Sequence, residues 1–352
     1  MCAQLSFAKP IEAYRGRRRG GRWAVLLFLG ALVVAGIAVV AFVARSASQV
    51  VDSGGSPLLV TIEPGQGTPE IGELLLERGL IVSKSAFSAA VVLEGARSKL
   101  QAGTYELSPA MSARAIAELL RDGKTKELQV TVPEGLRLDE EAELLDDKGI
   151  VEREDFLRAA RESYEFSFLQ SKPEGQNLEG FLFPDTYHFA PEVTAREIVN
   201  KMLENFENKI AELLPDIETD ERALYEILTL ASLVEGEVPH QEDRSLVAGV
   251  FMNRLDKDIV LQADSTLAYI TKEDRIDFTS EDTEIDNPYN TYLYGGLPPG
   301  PINSPGLSAL QAALHPEETD FMYFVSDPDT GETHFAKTLA EHNENVKKYL
   351  ND

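Results

Sequence analysis

The sequence predicts an α+β protein carrying one apolar N-terminal helix. Three observations carry that prediction: an uncharged apolar run near the start, helical periodicities interleaved irregularly with short β-rich segments, and a strand–turn–helix block that occurs twice.

The first element is a transmembrane helix at residues 23–43, WAVLLFLGALVVAGIAVVAFV. A helix of that length is about 30 Å long, enough to cross the hydrocarbon core of a bilayer. A cleaved signal peptide has a shorter apolar region and a clear small-residue cleavage site, so the run reads as an uncleaved anchor. Residues 1–22 are basic: Arg15, Arg17, Arg18, Arg19 and Arg22 precede the run, while Arg45 alone follows it closely. The positive-inside bias therefore places the N-terminus in the cytoplasm and everything after about Ser46 outside. Trp23 suits an interfacial position, and residues 44–57 read as a flexible stalk. The lone cysteine, Cys2, allows no internal disulfide.

The next elements come from residues 58–160. VTIEPGQGTPEIGELLLERGLI (Val60–Ile81) resembles VTVPEGLRLDEEAELLDDKGIV (Val130–Val151). Each block has a β-rich run, a turn containing Pro and Gly, an amphipathic helix and a glycine, Gly79 or Gly149, placed to end it. Between them, Gly103–Leu107 reads as a strand, and Ser112 caps a helix that ends at Gly123. The break at SYEFSFLQSKPEGQN puts a second domain at 161–352, with helices at about 195–213, 221–238, 245–255 and 309–314 and a hairpin at 321–335.

Composition narrows the function. Acidic residues outnumber basic ones 59 to 33, and the basic ones bunch at the start, so a nucleic-acid footprint is missing. The five histidines show no HExxH or other tight metal spacing, and there is no GxSxG elbow or phosphate loop. No metal or cofactor is expected.

The residue with the clearest chemical promise is Glu235, in ILTLASLVEGEV. Leu228, Ala231 and Glu235 follow i, i+3, i+7 spacing, which puts the carboxyl on the apolar face. A carboxyl desolvated in this way holds its proton toward neutral pH, as a general acid must. The plainer alternative has Glu235 at the helix end, reaching solvent or pairing with Arg244. Glu237 reads as a solvated neighbour, and Gly236 would loosen or end the helix. Three further stretches look shaped for a ligand: LEGFLFPDTY (178–187), LQADST (261–266) and NPYNTYLYGGLPPGPINSPG (287–306). The last combines aromatic faces, amides and rigid turns, as sugar recognition requires. Its plainer reading is a structured surface loop.

Taken together and in order, ASLVEGEV, LEGFLFPDTY, LQADST, NPYNTY, GLPPGPI and HFAKTLAEHN (334–343) resemble the signature blocks of the endolytic murein transglycosylase (YceG-like) family. The resemblance runs from the anchor to the C-terminus. It implies a LysM-like α/β region at 58–160 and a mixed α+β catalytic domain at 161–352. It also implies lytic cleavage of the MurNAc–GlcNAc β-1,4 bond of nascent peptidoglycan to a 1,6-anhydro end, terminating strand elongation, with Glu235 as the single acid and base. Gln262, Asp264, Tyr289 and Asn290 would hold the sugar and orient Glu235. Glycan strands are the implied substrate, and wall synthases and division proteins the implied partners, at the inner membrane. The chain departs from the family pattern at Gly236, Val238 and Ser265, which bears on substrate preference. A muramidase that admits water and an inactive wall-binding scaffold remain the competing readings.

Overall fold

The computed structural model describes residues 20–350 except 214, 216, 218–222, 274–277 and 329, with side chains from residue 25 on. Cys2, Arg15, Arg17, Arg18 and Arg19 lie outside the described residues, as do the side chains of Arg22 and Trp23. Helix α1 spans Gly20–Ala47, and its Val25–Ala47 stretch is long and apolar enough to cross a membrane. Its apolar side chains, Leu27 and Phe42 among them, are exposed along the helix, and Ala47 at its end is buried.

The rest forms two compact units that divide in sequence between Lys126 and Glu127. In the first, β1 (Leu58–Ile62) leads through α2 (Thr68–Glu77) and α3 (Lys84–Leu93) to β2 (Gly103–Leu107), which pairs antiparallel with β1; α4 (Ala113–Asp122) follows. Ser83 and Ser112 accept hydrogen bonds from backbone N–H groups three residues on, ending the exposed donors at the starts of α3 and α4. A separate core gathers beneath the sheet from Val60, Ile71, Leu75, Phe87, Tyr105, Ile116 and their neighbours.

The second unit opens with the same β–α–α–β order: β3 (Leu128–Thr131), α5 (Leu138–Asp147), α6 (Arg153–Ala159) and, after an insertion, β4 (Thr186–Phe189), antiparallel to β3. The repeat visible in the sequence extends to the closing strand. Val60 faces Tyr105 and Thr61 faces Thr104 in one sheet; Val130 faces Tyr187 and Thr131 faces Thr186 in the other. The threonine hydroxyls meet at 3.0 and 2.8 Å, and each tyrosine hydroxyl donates to the carbonyl four residues earlier, Gln101 at 2.8 Å and Phe183 at 2.5 Å. This pairing is why the compact units part at Lys126 whereas the sequence break at residues 161–177 falls inside one of them: strand 128–131 finds its partner only at 186–189.

Around that module pack α7 (Ala195–Ile210), α8 (Leu224–Glu237), α9 (Arg244–Leu255), α10 (Asp264–Thr271) and α11 (Leu307–Leu314). A hairpin, β5 (Tyr323–Ser326) with β6 (Thr333–Ala336), and α12 (Leu339–Tyr349) finish the chain. Helix α8 exposes Glu226 in its first turn but is buried on every side from Ile227 to Val234, as a largely apolar helix must be, and it forms the axis of this unit's core. Strands are short and helices segregated from them, so the architecture is α+β.

Candidate active site

Glu235 lies in the last turn of α8, directly after that buried stretch, and only 6 % of its side chain is exposed. The side chain both points inward and pairs with Arg244: Oε1 accepts from Nη2 at 2.5 Å. Its other oxygen, Oε2, accepts the backbone N–H of Gly306 at 3.0 Å. Gly306 is the N-cap of α11, so that bond also answers one of the helix's free donors.

Two loops are laced together to hold this arrangement. Gly135 N–H donates to the Ser304 carbonyl at 2.9 Å and Ser304 N–H to that of Leu136 at 2.8 Å. Ile302 N–H reaches the Ser232 hydroxyl at 3.1 Å, and the Asn303 amide reaches the Ser232 carbonyl at 2.9 Å, pinning the same loop to α8. Gly135 takes φ = +82°, a left-handed value that favours glycine, and a Cβ there would stand 3.6 Å from Glu235 Cγ. The neighbouring Glu134 lies over Gly306, where a Cβ would come within 2.0 Å of its Oε1, and its Oε2 stands 3.6 Å from Arg244 Nη1. Two carboxylates thus flank one guanidinium. Removal from water pushes the Glu235 carboxyl above its ordinary range, and the negative charge of Glu134 adds to the rise; the Gly306 N–H and Arg244 only partly reverse it.

Glu237, expected to be solvated, is half-buried instead. It accepts from the Ser265 backbone N–H at 3.0 Å and from its hydroxyl at 2.6 Å, and desolvation pushes its carboxyl up to about 7. The helix continues through Gly236 to reach it, and glycine is needed at 236 because a Cβ would lie 2.7 Å from Ser265 Cβ.

The four other candidates gather on the loops beside Ser265, with different exposures. Gln262 is exposed and left-handed at φ = +51°, its N–H donating to the Thr291 carbonyl at 3.0 Å; such a conformation in a non-glycine residue marks a constrained loop. Asp264 starts α10 on the surface and accepts from the Tyr292 hydroxyl at 2.5 Å. Tyr289 is half-buried with its ring 4.9 Å from that of Tyr269. Asn290 differs from these: it is wholly buried, its amide nitrogen donating to the carbonyls of Thr283 at 3.1 Å and Ile285 at 2.8 Å, and its oxygen accepting Tyr292 N–H at 3.0 Å. It shapes the loop from within and offers no face to a sugar. Asn290→Ala is expected to leave those buried carbonyls unpaired and lower stability by about 1–3 kcal/mol. Urea unfolding with an unchanged midpoint would contradict this.

Sequence reasoning missed Glu134, the Gly306 N–H and the buried Glu179 and Glu141. Glu134 was legible in one respect: it sits in the Pro–Glu–Gly turn of the second repeat copy. Glu179, the acid of LEGFLFPDTY, accepts the Leu138 N–H at 2.7 Å at the start of α5. Glu141 is wholly buried, and desolvation pushes it well above the ordinary range, the nearby Ser304 hydroxyl opposing only in part. Among the described residues no group of three or more His, Cys, Asp and Glu could hold a metal ion.

Burial, the Arg244 guanidinium and the Gly306 N–H together hold the Glu235 carboxyl in place with its proton affinity raised, an arrangement able to give and to take a proton. The chain belongs to the YceG-like family, whose model matches residues 60–348. It is 34 % identical over 305 residues to an endolytic murein transglycosylase of Bacillus subtilis, covering 83 % of this chain and 84 % of the relative. A protein of the same name from Streptococcus pneumoniae is 32 % identical over an alignment of 321 residues, covering 83 % of this chain but only 58 % of the relative's length. A crystal structure of a yceG-like protein from Listeria monocytogenes superposes with a TM-score of 0.56 at 34 % identity, covering 83 % of this chain and 99 % of that one.

Proposed function

We propose that the protein is a membrane-anchored endolytic lytic transglycosylase that cuts the MurNAc–GlcNAc β-1,4 bond of nascent peptidoglycan glycan, with Glu235 as its acid and base. The observation that carries this reading is the buried Glu235 carboxyl, whose proton affinity is raised and whose two oxygens are held in place. Protonated, it delivers its proton to the departing glycosidic oxygen. The resulting carboxylate then takes the proton of the muramoyl C6 hydroxyl as that oxygen closes on C1, giving the 1,6-anhydro end. No water enters the products. One carboxyl serves both steps, unlike the pair that glycoside hydrolases use.

Gln262, Asp264 and Tyr289 hold the sugar from the loops beside Ser265, and the buried Asn290 supports them by fixing the fold of theirs. The N-terminal helix anchors the enzyme in the cell membrane with the basic arm in the cytoplasm. The cut then falls on strands near the membrane and ends their elongation. The region at 58–160 acts as a LysM-like glycan-holding element, and wall synthases and division proteins are its working partners.

Digestion of purified, uncrosslinked glycan by the full chain in detergent, with products weighed by mass spectrometry, tests the reading. Anhydro-ended fragments are expected. Ends that have gained water would make the enzyme a muramidase, an outcome to which the second carboxylate at Glu134 lends some chemical room. Glycan bound but uncut would make it a scaffold.

A further inference from the structure

A general acid paired to a guanidinium at 2.5 Å faces a conflict, because the pair favours the carboxylate that has no proton to give. The surroundings of Arg244 suggest how the conflict is relieved. Its side chain is 5 % exposed, and Nε and Nη1 have no hydrogen-bond partner; only Nη2 does, and that partner is Glu235. Glu134 waits on the other side of the same guanidinium, 3.6 Å from Nη1, inside ion-pair range but outside hydrogen-bond range. Its side chain is 41 % exposed, on the turn where Gly135 meets Glu235 and beside the Gly306 N–H that holds the acid's other oxygen.

We propose that Glu134 is a positioning residue that shares Arg244 with Glu235 and takes it over when glycan occupies the site, freeing Glu235 to carry the proton it donates. The inference rests on the proposed lytic activity and adds a residue to it. A buried guanidinium cannot be left without a counter-charge, so Arg244 can leave Glu235 only if a second carboxylate is within reach. Glu134 is that carboxylate, and exclusion of water by a bound sugar would strengthen its attraction to Nη1 just when the exchange is needed. A guanidinium suits the task, since its fork can address two acids at once where an ammonium is a single point. The charged or titratable groups facing Glu235 are Arg244 at the start of α9 and Glu134 on the turn before α5, with the Gly306 N–H contributed by the start of α11. Glu237, on the acid's own helix, is turned to Ser265 of α10, where Asp264 acts on it.

Three forms of the full chain in detergent test this: wild type, Glu134→Gln, which removes the charge, and Glu134→Asp, which keeps the charge but is one methylene shorter. The readouts are the pH profile of kcat/KM for glycan cleavage and a 13C-carboxyl NMR titration of Glu235, assigned by its loss in Glu235→Gln. Both Glu134 variants should move the Glu235 midpoint down by about one pH unit and cut kcat/KM near pH 7 about tenfold, with KM little changed. A midpoint unmoved in the Gln form overturns the proposal. So does one moved by Gln but not by Asp, which would reduce Glu134 to a distant field acting without Arg244. If wild type cuts no glycan the lytic reading fails, and the NMR titration still decides whether Glu134 and Arg244 set the proton on Glu235.

Discussion

Glu235→Gln is expected to lower glycan cleavage by about 10²–10⁴-fold, the range that a positioned proton donor supplies. The amide keeps the shape of the carboxyl and an oxygen for Arg244, but it has no proton to give and cannot take one back. Its NH₂ group would also face the Gly306 N–H, donor against donor, where Oε2 now accepts at 3.0 Å. Some stability is lost with the charge, because Arg244 then depends on Glu134 at 3.6 Å, so the melting temperature should fall modestly while glycan binding persists. Glu237→Gln is the informative companion, since its carboxyl is turned to Ser265 and should tolerate the change far better. A Glu235→Gln enzyme retaining a tenth or more of wild-type turnover would remove Glu235 from the chemistry. Activity of the wild type should also fall as pH rises past the acid's raised midpoint, since the protonated form is the one that starts the reaction.

The largest effect on stability is expected from pH acting on buried acids that the reaction does not use. Burial holds Glu179 up to about 7, against an ordinary value of 4.5. A folded-state value above the unfolded one means that the folded protein keeps the proton longer. That stabilisation is complete below about pH 4.5 and is lost as pH rises toward 7, by about 3 kcal/mol for this one group. Glu141, raised well above its ordinary range, continues the loss to higher pH. The melting temperature of the second unit should therefore fall between pH 5 and pH 8. Glu179→Gln keeps an acceptor for the Leu138 N–H and removes the titration, so it should melt about 5–10 °C above wild type at pH 8 and close to it at pH 5. Calorimetry at the two pH values reads this directly, and a variant that melts below wild type at pH 8 would show that the ionised acid is accommodated after all.

Much of the fold could be read from the chain because its signals are local. An apolar run, glycines at helix ends and a serine at a helix start act within a few residues, so α1, α2, α4, α5, the closing hairpin and most helix limits were legible, whereas α3 was not. The first half of the duplicated module was visible because Val–Thr, the Pro and Gly turn and the paired leucines recur in order. Its second half, Thr104–Tyr105 and Thr186–Tyr187, was hidden by the insertion that separates β4 from α6. The site was legible to the extent that it is written into single segments. Glu235 stood out, whereas the spacing argument for its orientation carried little, since α8 is buried on all faces from Ile227 to Val234. Exposure of Glu237 and the role of Asn290 could not be read, because each depends on a loop distant in sequence: Ser265 for the one, the carbonyls of 283 and 285 for the other. Glu134 was missed for the same reason, being brought to Glu235 by the lacing of residues 133–136 to 301–306.

That lacing also sets the order in which the protein becomes competent. The first unit can close its sheet once residue 107 has been made, whereas the acid's bracing draws on residues 134, 235, 244 and 306 together. Contacts so far apart in the chain form late, after long segments have been brought into register. A nascent polypeptide emerging N-terminus first can therefore close its first sheet well before the bracing of Glu235 can form.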